Sequence, residues 1–130
     1  MEFRPIAQDI DVIGKEIVDS AFKVHNALGP GLLESVYEEC MIHDLKSKGL
    51  RVANQLEIQI DYFGNPLKSK LRLDMLVEGK IIIELKSVER MIPLYESQML
   101  TYLKLSKKRL GYLINFNVPL IKDGIKRMAL

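Results

Sequence analysis

Near the start of the chain, Ile10, Ile13, Ile17, Ala21 and Val24 recur at the spacing of a helix with one buried face. Asp9 or Asp11 stands where a capping side chain would begin it. The Gly29-Pro30-Gly31 run ends it, because proline cannot continue a helix and glycine suits the turn that closes one. A second helix is predicted from about Leu32 to Lys48, with Leu33, Val36, Tyr37, Cys40 and Leu45 inward and Gly49 as its stop.

The period then changes to two. Leu56, Ile58, Ile60 and Tyr62 alternate with Gln55, Glu57, Gln59 and Asp61, as in a half-buried strand. Gly64-Asn65-Pro66 turns the chain into a second strand. One face of that strand is expected to carry Leu67, Leu71, Leu73 and Met75, the other Lys68, Lys70, Arg72 and Asp74. Ile81-Ile82-Ile83 is apolar on both faces and reads as a central strand. Pro93 opens a third helix running to about Ser106, with Leu94, Met99, Tyr102 and Leu103. Leu110 to Phe116 and Ile121 to Met128 read as two last strands. This order, ααβββαββ, predicts an α/β fold with a mixed central sheet of four or five strands flanked by helices.

Composition narrows the options without choosing among them. At 130 residues, 48% hydrophobic and 28% charged, the chain suits one domain, residues 1–130, with a core that needs no disulfide. A net charge of +2 does not by itself argue for a polyanionic partner. The single cysteine, Cys40, excludes an internal disulfide framework and falls on a helix stripe, where a buried structural thiol is expected. No apolar run is long enough for a membrane span, and Met1-Glu2-Phe3-Arg4-Pro5 has no leader-like apolar core; a cytoplasmic protein is expected. The absence of Trp and the few aromatic residues do not point to recognition of single strands by stacking.

Charge interrupts apolar sequence at Asp74 and at Glu84-Leu85-Lys86. Glu84 and Lys86 are two apart on a strand, hence on one face. Whether Asp74 meets them depends on the loop after Val77. A two-residue loop at Glu78-Gly79 would pair Asp74 with Ile83, whereas a three-residue loop pairs it with Glu84, or with Ile82 one diagonal step away. The three-residue loop is predicted. Carboxylates so close repel one another unless a cation lies between them, and a hard divalent ion such as Mg²⁺ or Mn²⁺ prefers such oxygen ligands. A lysine alongside would suit metal-assisted hydrolysis of a phosphodiester. Most acid-x-Lys pairs are only solvated strand faces, but this one prolongs a central strand.

Gly31-Leu32-Leu33-Glu34-Ser35-Val36-Tyr37 resembles the signature of the GxxExxY family. Asp74, Glu84-Leu85-Lys86, Gln98 with Tyr102, and Gly111-Tyr112-Leu113-Ile114-Asn115-Phe116 are similar to that family too. The family is placed in the PD-(D/E)XK nuclease-like superfamily, so the resemblance implies a restriction-endonuclease-like core. It implies Asp74 and Glu84 as metal ligands, the Leu85 carbonyl as a third, and Lys86 as the catalytic lysine. Leu73 stands where the motif's proline would be. Glu34 would be the acidic residue contributed by the core helix; a glutamate favoured by the helix dipole is the plainer account. Gln98 and Tyr102, four apart on a helix, resemble the supporting motif of RecB-type members, although Tyr102 also suits ordinary core packing. His25 resembles an upstream metal-binding histidine, against the plainer role of a helix cap. Tyr37 reads as structural, and Gly29 to Gly31 as the turn that delivers Glu34 to the sheet.

The resemblance thus implies a metal-dependent nuclease, with DNA the expected substrate and a homodimer one way to span a duplex. Lys68, Lys70 and Arg72, and a second group of Lys104, Lys107, Lys108 and Arg109, are candidate backbone contacts. Two other readings compete: a binding module that keeps the fold without turnover, and a hydrolase of small phosphates. His43 has no evident partner.

Overall fold

A computed structural model describes residues 5–130; the segment Met1–Arg4 read for a leader lies outside the described residues. The order along the chain is α1 (Gln8–Leu28), α2 (Glu34–Ser47), β1 (Val52–Tyr62), β2 (Asn65–Val77), β3 (Ile81–Lys86), α3 (Pro93–Ser106), β4 (Leu110–Asn115), a 3-10 turn (Ile121–Asp123) and β5 (Ile125–Ala129). The five strands form one mixed sheet in the order β1-β2-β3-β4-β5. All neighbours are antiparallel except β3 and β4, which are parallel and joined through α3. No described helix is long and apolar enough to cross a membrane.

Two apolar clusters flank the sheet. On one side Ile17, Ala21 and Val24 of α1 and Tyr37, Met41 and Leu45 of α2 pack on Met75, Val77, Ile81, Ile83 and Leu85. On the other, Met99 and Leu103 of α3 cover Leu71, Leu73, Leu76, Ile82 and Leu113. The isoleucine run is fully buried because its alternate residues serve opposite cores, as a central strand requires.

Several boundaries and faces differ from expectation. Neither Asp9 nor Asp11 caps α1, which follows Ala7 without a side-chain cap. Both acids sit in its first turn, where they favour the dipole and pair with Lys80 and Arg127. The second helix starts at Glu34, leaving Leu33 outside it and 75% exposed, so Leu33 does not point inward. Cys40 is half-buried and Leu94 exposed. The first strand begins earlier, at Val52, and the last is preceded by the 3-10 turn at Ile121.

The largest difference concerns β2. Leu71 and Leu73 belong to the core under α3, but Met75 belongs to the core under α1 and α2. Strict alternation would put all three on one face. Asp74 is therefore where the strand exchanges faces. Its neighbour across the β1 ladder, between the pairs Asn54–Met75 and Leu56–Leu73, is Gln55, whose φ of 49° departs from extended backbone.

Candidate active site

The turn between β2 and β3 sets the geometry of the acids. Val77 pairs with Ile81, so the loop is Glu78-Gly79-Lys80, the expected three residues, with positive φ at Glu78 and Gly79. Continued beyond Met75–Ile83, this register sets Asp74 opposite Glu84. The regular ladder stops at Met75, and side chains take over. The Asp74 N–H donates to Glu84 Oε2 at 2.7 Å, and the Leu85 N–H donates to Asp74 Oδ2 at 2.9 Å. Each carboxylate thus binds the opposing backbone where β2 and β3 part.

Burial pushes the Glu84 carboxyl up to about 8, with the nearby Asp74 charge adding to the effect. The Asp74 N–H and the Lys86 ammonium act in the opposite direction without prevailing. Two acids thus share a fork whose environment resists a second negative charge. Asp74 also opens into a groove of about 210 Å³ lined by Glu34, Ser35, Glu38, Gln55 and Leu85.

Glu34 reaches that groove because the turn before α2 is tightly held. Gly29 ends α1 with φ 75°, and its carbonyl accepts a bond from the buried Tyr37 hydroxyl at 2.6 Å. The Leu32 N–H donates to the same hydroxyl at 3.1 Å. Ser87, just beyond Lys86, donates to the Leu32 carbonyl, tying the turn to the end of β3.

The face of α3 supplies the other wall. The Tyr102 hydroxyl is raised by burial and by the charges of Glu84 and Asp74, with Gln98 beside it acting in the opposite direction. The Lys86 ammonium lies 4.3 Å from the centre of the Tyr95 ring, a cation–π contact. Tyr95 was not anticipated, although it stands three residues before Gln98 and seven before Tyr102 on the same helical stripe.

Sequence reasoning also missed Glu38 and Gln55, which join through a 2.8 Å hydrogen bond at the edge of the groove. The four-residue spacing from Glu34 to Glu38 is the signal that could have found the first. A third omission is the role of Asn115. Buried at the end of β4, it accepts from the N–H groups of Val88 and Asn117, and donates to the Val88 carbonyl at 3.0 Å. It holds the chain just after Lys86.

Other candidates lie elsewhere. His25 is buried, donates from Nε2 to the Val118 carbonyl at 2.8 Å and stacks on Phe116; it does not line the Asp74 groove. His43 is exposed and lines a different hollow with Lys23, Cys40 and Asp44. Lys107, Lys108 and Arg109 lead into Leu110, which pairs with Ile81 at the end of β3 farthest from Lys86. The second basic group is thus at the wrong end of the sheet. Among the described residues, no three His, Cys, Asp or Glu side chains are gathered as a metal site.

No curated protein and no solved structure matched the chain. Among protein-family models, the one described as the PD-(D/E)XK nuclease superfamily matches residues 11–128, a span from the first turn of α1 into β5 that takes in the whole fork. With nearly its full length matched, and with the mixed sheet and flanking helices described above, the chain belongs to the PD-(D/E)XK nuclease superfamily.

Proposed function

We propose that this protein is a divalent-metal-dependent nuclease that hydrolyses phosphodiester bonds in DNA, with Asp74, Glu84 and Lys86 at its active site. The observation that carries this reading is the meeting of Asp74 and Glu84 at one fork, with Lys86 on the same strand end. Two carboxylates suit Mg²⁺ or Mn²⁺, and each uses a single oxygen on the backbone in the bonds described, leaving its other oxygen for a cation. The Leu85 carbonyl and Glu34 would complete the oxygen set, and His25 would stay a remote candidate. When bound, the ion supplies a Lewis acid and an activated water for attack at phosphorus.

The chain's own residues then have separate tasks. Lys86 offsets charge that builds on the phosphoryl oxygens, and Tyr95 holds its ammonium. Gln98 and Tyr102 would border the Glu84 side of the fork. Glu34, Glu38 and Gln55 border the opening through which a strand would reach Asp74. The Tyr37 bonds to Gly29 and Leu32 support the finer assignment to the GxxExxY branch. A cytoplasmic enzyme of one domain fits, and a second copy would give both strands of a duplex a site.

A panel of DNA substrates incubated with Mg²⁺ or Mn²⁺ tests the reading. Cleavage is expected, lost with chelator and in Lys86→Ala, while that variant still binds DNA. Cleavage unchanged by Lys86→Ala would remove the lysine from the mechanism. A second reading is binding without turnover. Binding of DNA with no cleavage in either metal would select it.

A further inference from the structure

Beyond the fork, β1 and β2 run on without β3. By the same register Lys86, the last residue of β3, stands level with Arg72, yet the β1–β2 ladder continues to the pair Tyr62–Asn65. Phe63 is eight residues past Gln55, so the tip extends at most roughly 26 Å from the Asp74 groove at about 3.3 Å per residue, with a bend where the register shifts between Gln59 and Asp61. One face of this two-stranded ribbon packs toward α3 through Leu71, Ile58 and Ile60, leaving the opposite face and the tip exposed to meet a groove of a duplex.

Its tip is built against its own stability. Phe63 and Gly64 are the two residues between the paired Tyr62 and Asn65, and both have positive φ, 47° and 81°. Such a turn favours Asn, Asp or Gly at both places, and a bulky side chain in this region is strained. Phe63 is also 89% exposed and Tyr62 62%, their rings touching edge to face with centroids 4.8 Å apart. A large apolar ring in a costly conformation, buried by nothing in the fold, points to an external contact.

The flank says what kind of partner. Leu71 and Leu73 turn toward α3, so Lys70 and Arg72 face the opposite side, and Lys68 lies exposed nearer the tip. One carboxylate, Glu57, lies between Lys70 and Arg72 at 3.8 and 3.5 Å, and Lys68 has no ion pair among the described residues. The row keeps a net positive charge and leads from the tip to Asp74. We infer that the β1–β2 hairpin is an arm that grips double-stranded DNA beside the cut site, its lysines on phosphates and Phe63 with Tyr62 against the bases. The orientation of this arm rests on the nuclease reading, and its existence as a duplex contact does not. At about 3.4 Å per base pair, it would reach at most some seven or eight base pairs from the cut.

Binding without metal provides the test. A labelled duplex of about twenty base pairs, longer than the arm's reach, and its single strand would be titrated with the full chain by fluorescence anisotropy. Phe63→Asn is expected to weaken duplex binding about fivefold or more, leave single-strand binding within about twofold, and keep or raise the melting temperature, because Asn suits the turn. Lys68→Ala with Lys70→Ala is expected to lower the salt slope of duplex binding by roughly 1.8, the value for two phosphates. Duplex affinity unchanged in both variants, or an equal loss for single and double strands, overturns the arm. A wild-type protein that cuts nothing but loses duplex affinity in these variants would sink the nuclease reading and keep the arm. A wild type that cuts, with duplex affinity unchanged in both variants, would do the reverse.

Discussion

Tyr37 and Phe116 stack with ring centroids 4.4 Å apart and planes within 7° of parallel. The pair joins the start of α2 to the residue that follows β4, and so links the helix bearing Glu34 to the sheet bearing Glu84. Tyr37→Phe keeps the stack but strips the Gly29 carbonyl and the Leu32 N–H of their shared partner. A loss of about 0.5–1.5 kcal/mol is expected in urea unfolding, the usual net worth of a hydrogen bond between partly exposed groups. Unchanged stability would mean that these groups find water, and that the hydroxyl does not hold the turn.

Glu84 makes the metal-free protein sensitive to alkali. Its carboxyl is pushed up to about 8 in the folded chain, against an ordinary value near 4.5. The folded state therefore holds a proton that the unfolded state has released, and stability falls as pH rises from about 4.5 through 8. Glu84→Gln should melt higher than the wild type at pH 8.5 without metal, and the difference should shrink toward pH 5. Saturating Mg²⁺ or Mn²⁺ should remove the wild type's extra slope. Identical pH profiles for the two metal-free proteins would refute the buried, repelled carboxyl.

Asp44 has the opposite sign. Burial pushes its carboxyl up, but Lys23, Ser20 and Lys48 outweigh that and hold it below the ordinary range. It links α2 to Ser20 and Lys23 of α1. Its contribution is present above the unfolded value and fades as pH falls through the folded one. Asp44→Asn should cost about 1–3 kcal/mol at pH 7, from lost charged hydrogen bonds, and the gap should narrow as pH falls below the ordinary value of 3.8. A gap that persists in acid would assign the loss to packing.

Asn115 is expected to position the chain after Lys86 without touching substrate. Asn115→Ala strands the Val88 N–H and carbonyl and the Asn117 N–H. A cost of about 2 kcal/mol is expected, with kcat reduced more than KM is raised. Asn115→Asp, which retains both acceptor bonds, should recover part of the stability. If KM alone changes, the residue acts on binding and not on the placement of Lys86.

Regular periodicity made most elements legible. Ile81-Ile82-Ile83 read as a central strand, and the glycine and proline breaks marked the end of α1 and the start of α3. The meeting of Asp74 and Glu84 followed from counting the loop. What escaped was irregular. Alternation places Asp74 and Met75 on faces that the backbone exchanges, because no sequence period encodes the unusual φ of Gln55. Leu33 and Leu94 match an apolar pattern but lie at helix starts, outside the buried stripe. Glu38, Gln55 and Tyr95 come from three different elements, and only the tertiary arrangement brings them to the fork.

The parallel pairing of β3 with β4 separates the two halves of the site in folding time. Asp74 and Glu84 meet across a tight hairpin, a closure that takes microseconds. Asn115 reaches its place only after the crossover through α3 has closed, a contact of far larger sequence separation. A chain leaving the ribosome would therefore carry its paired acids before the segment after Lys86 is secured, and the candidate site would be completed last.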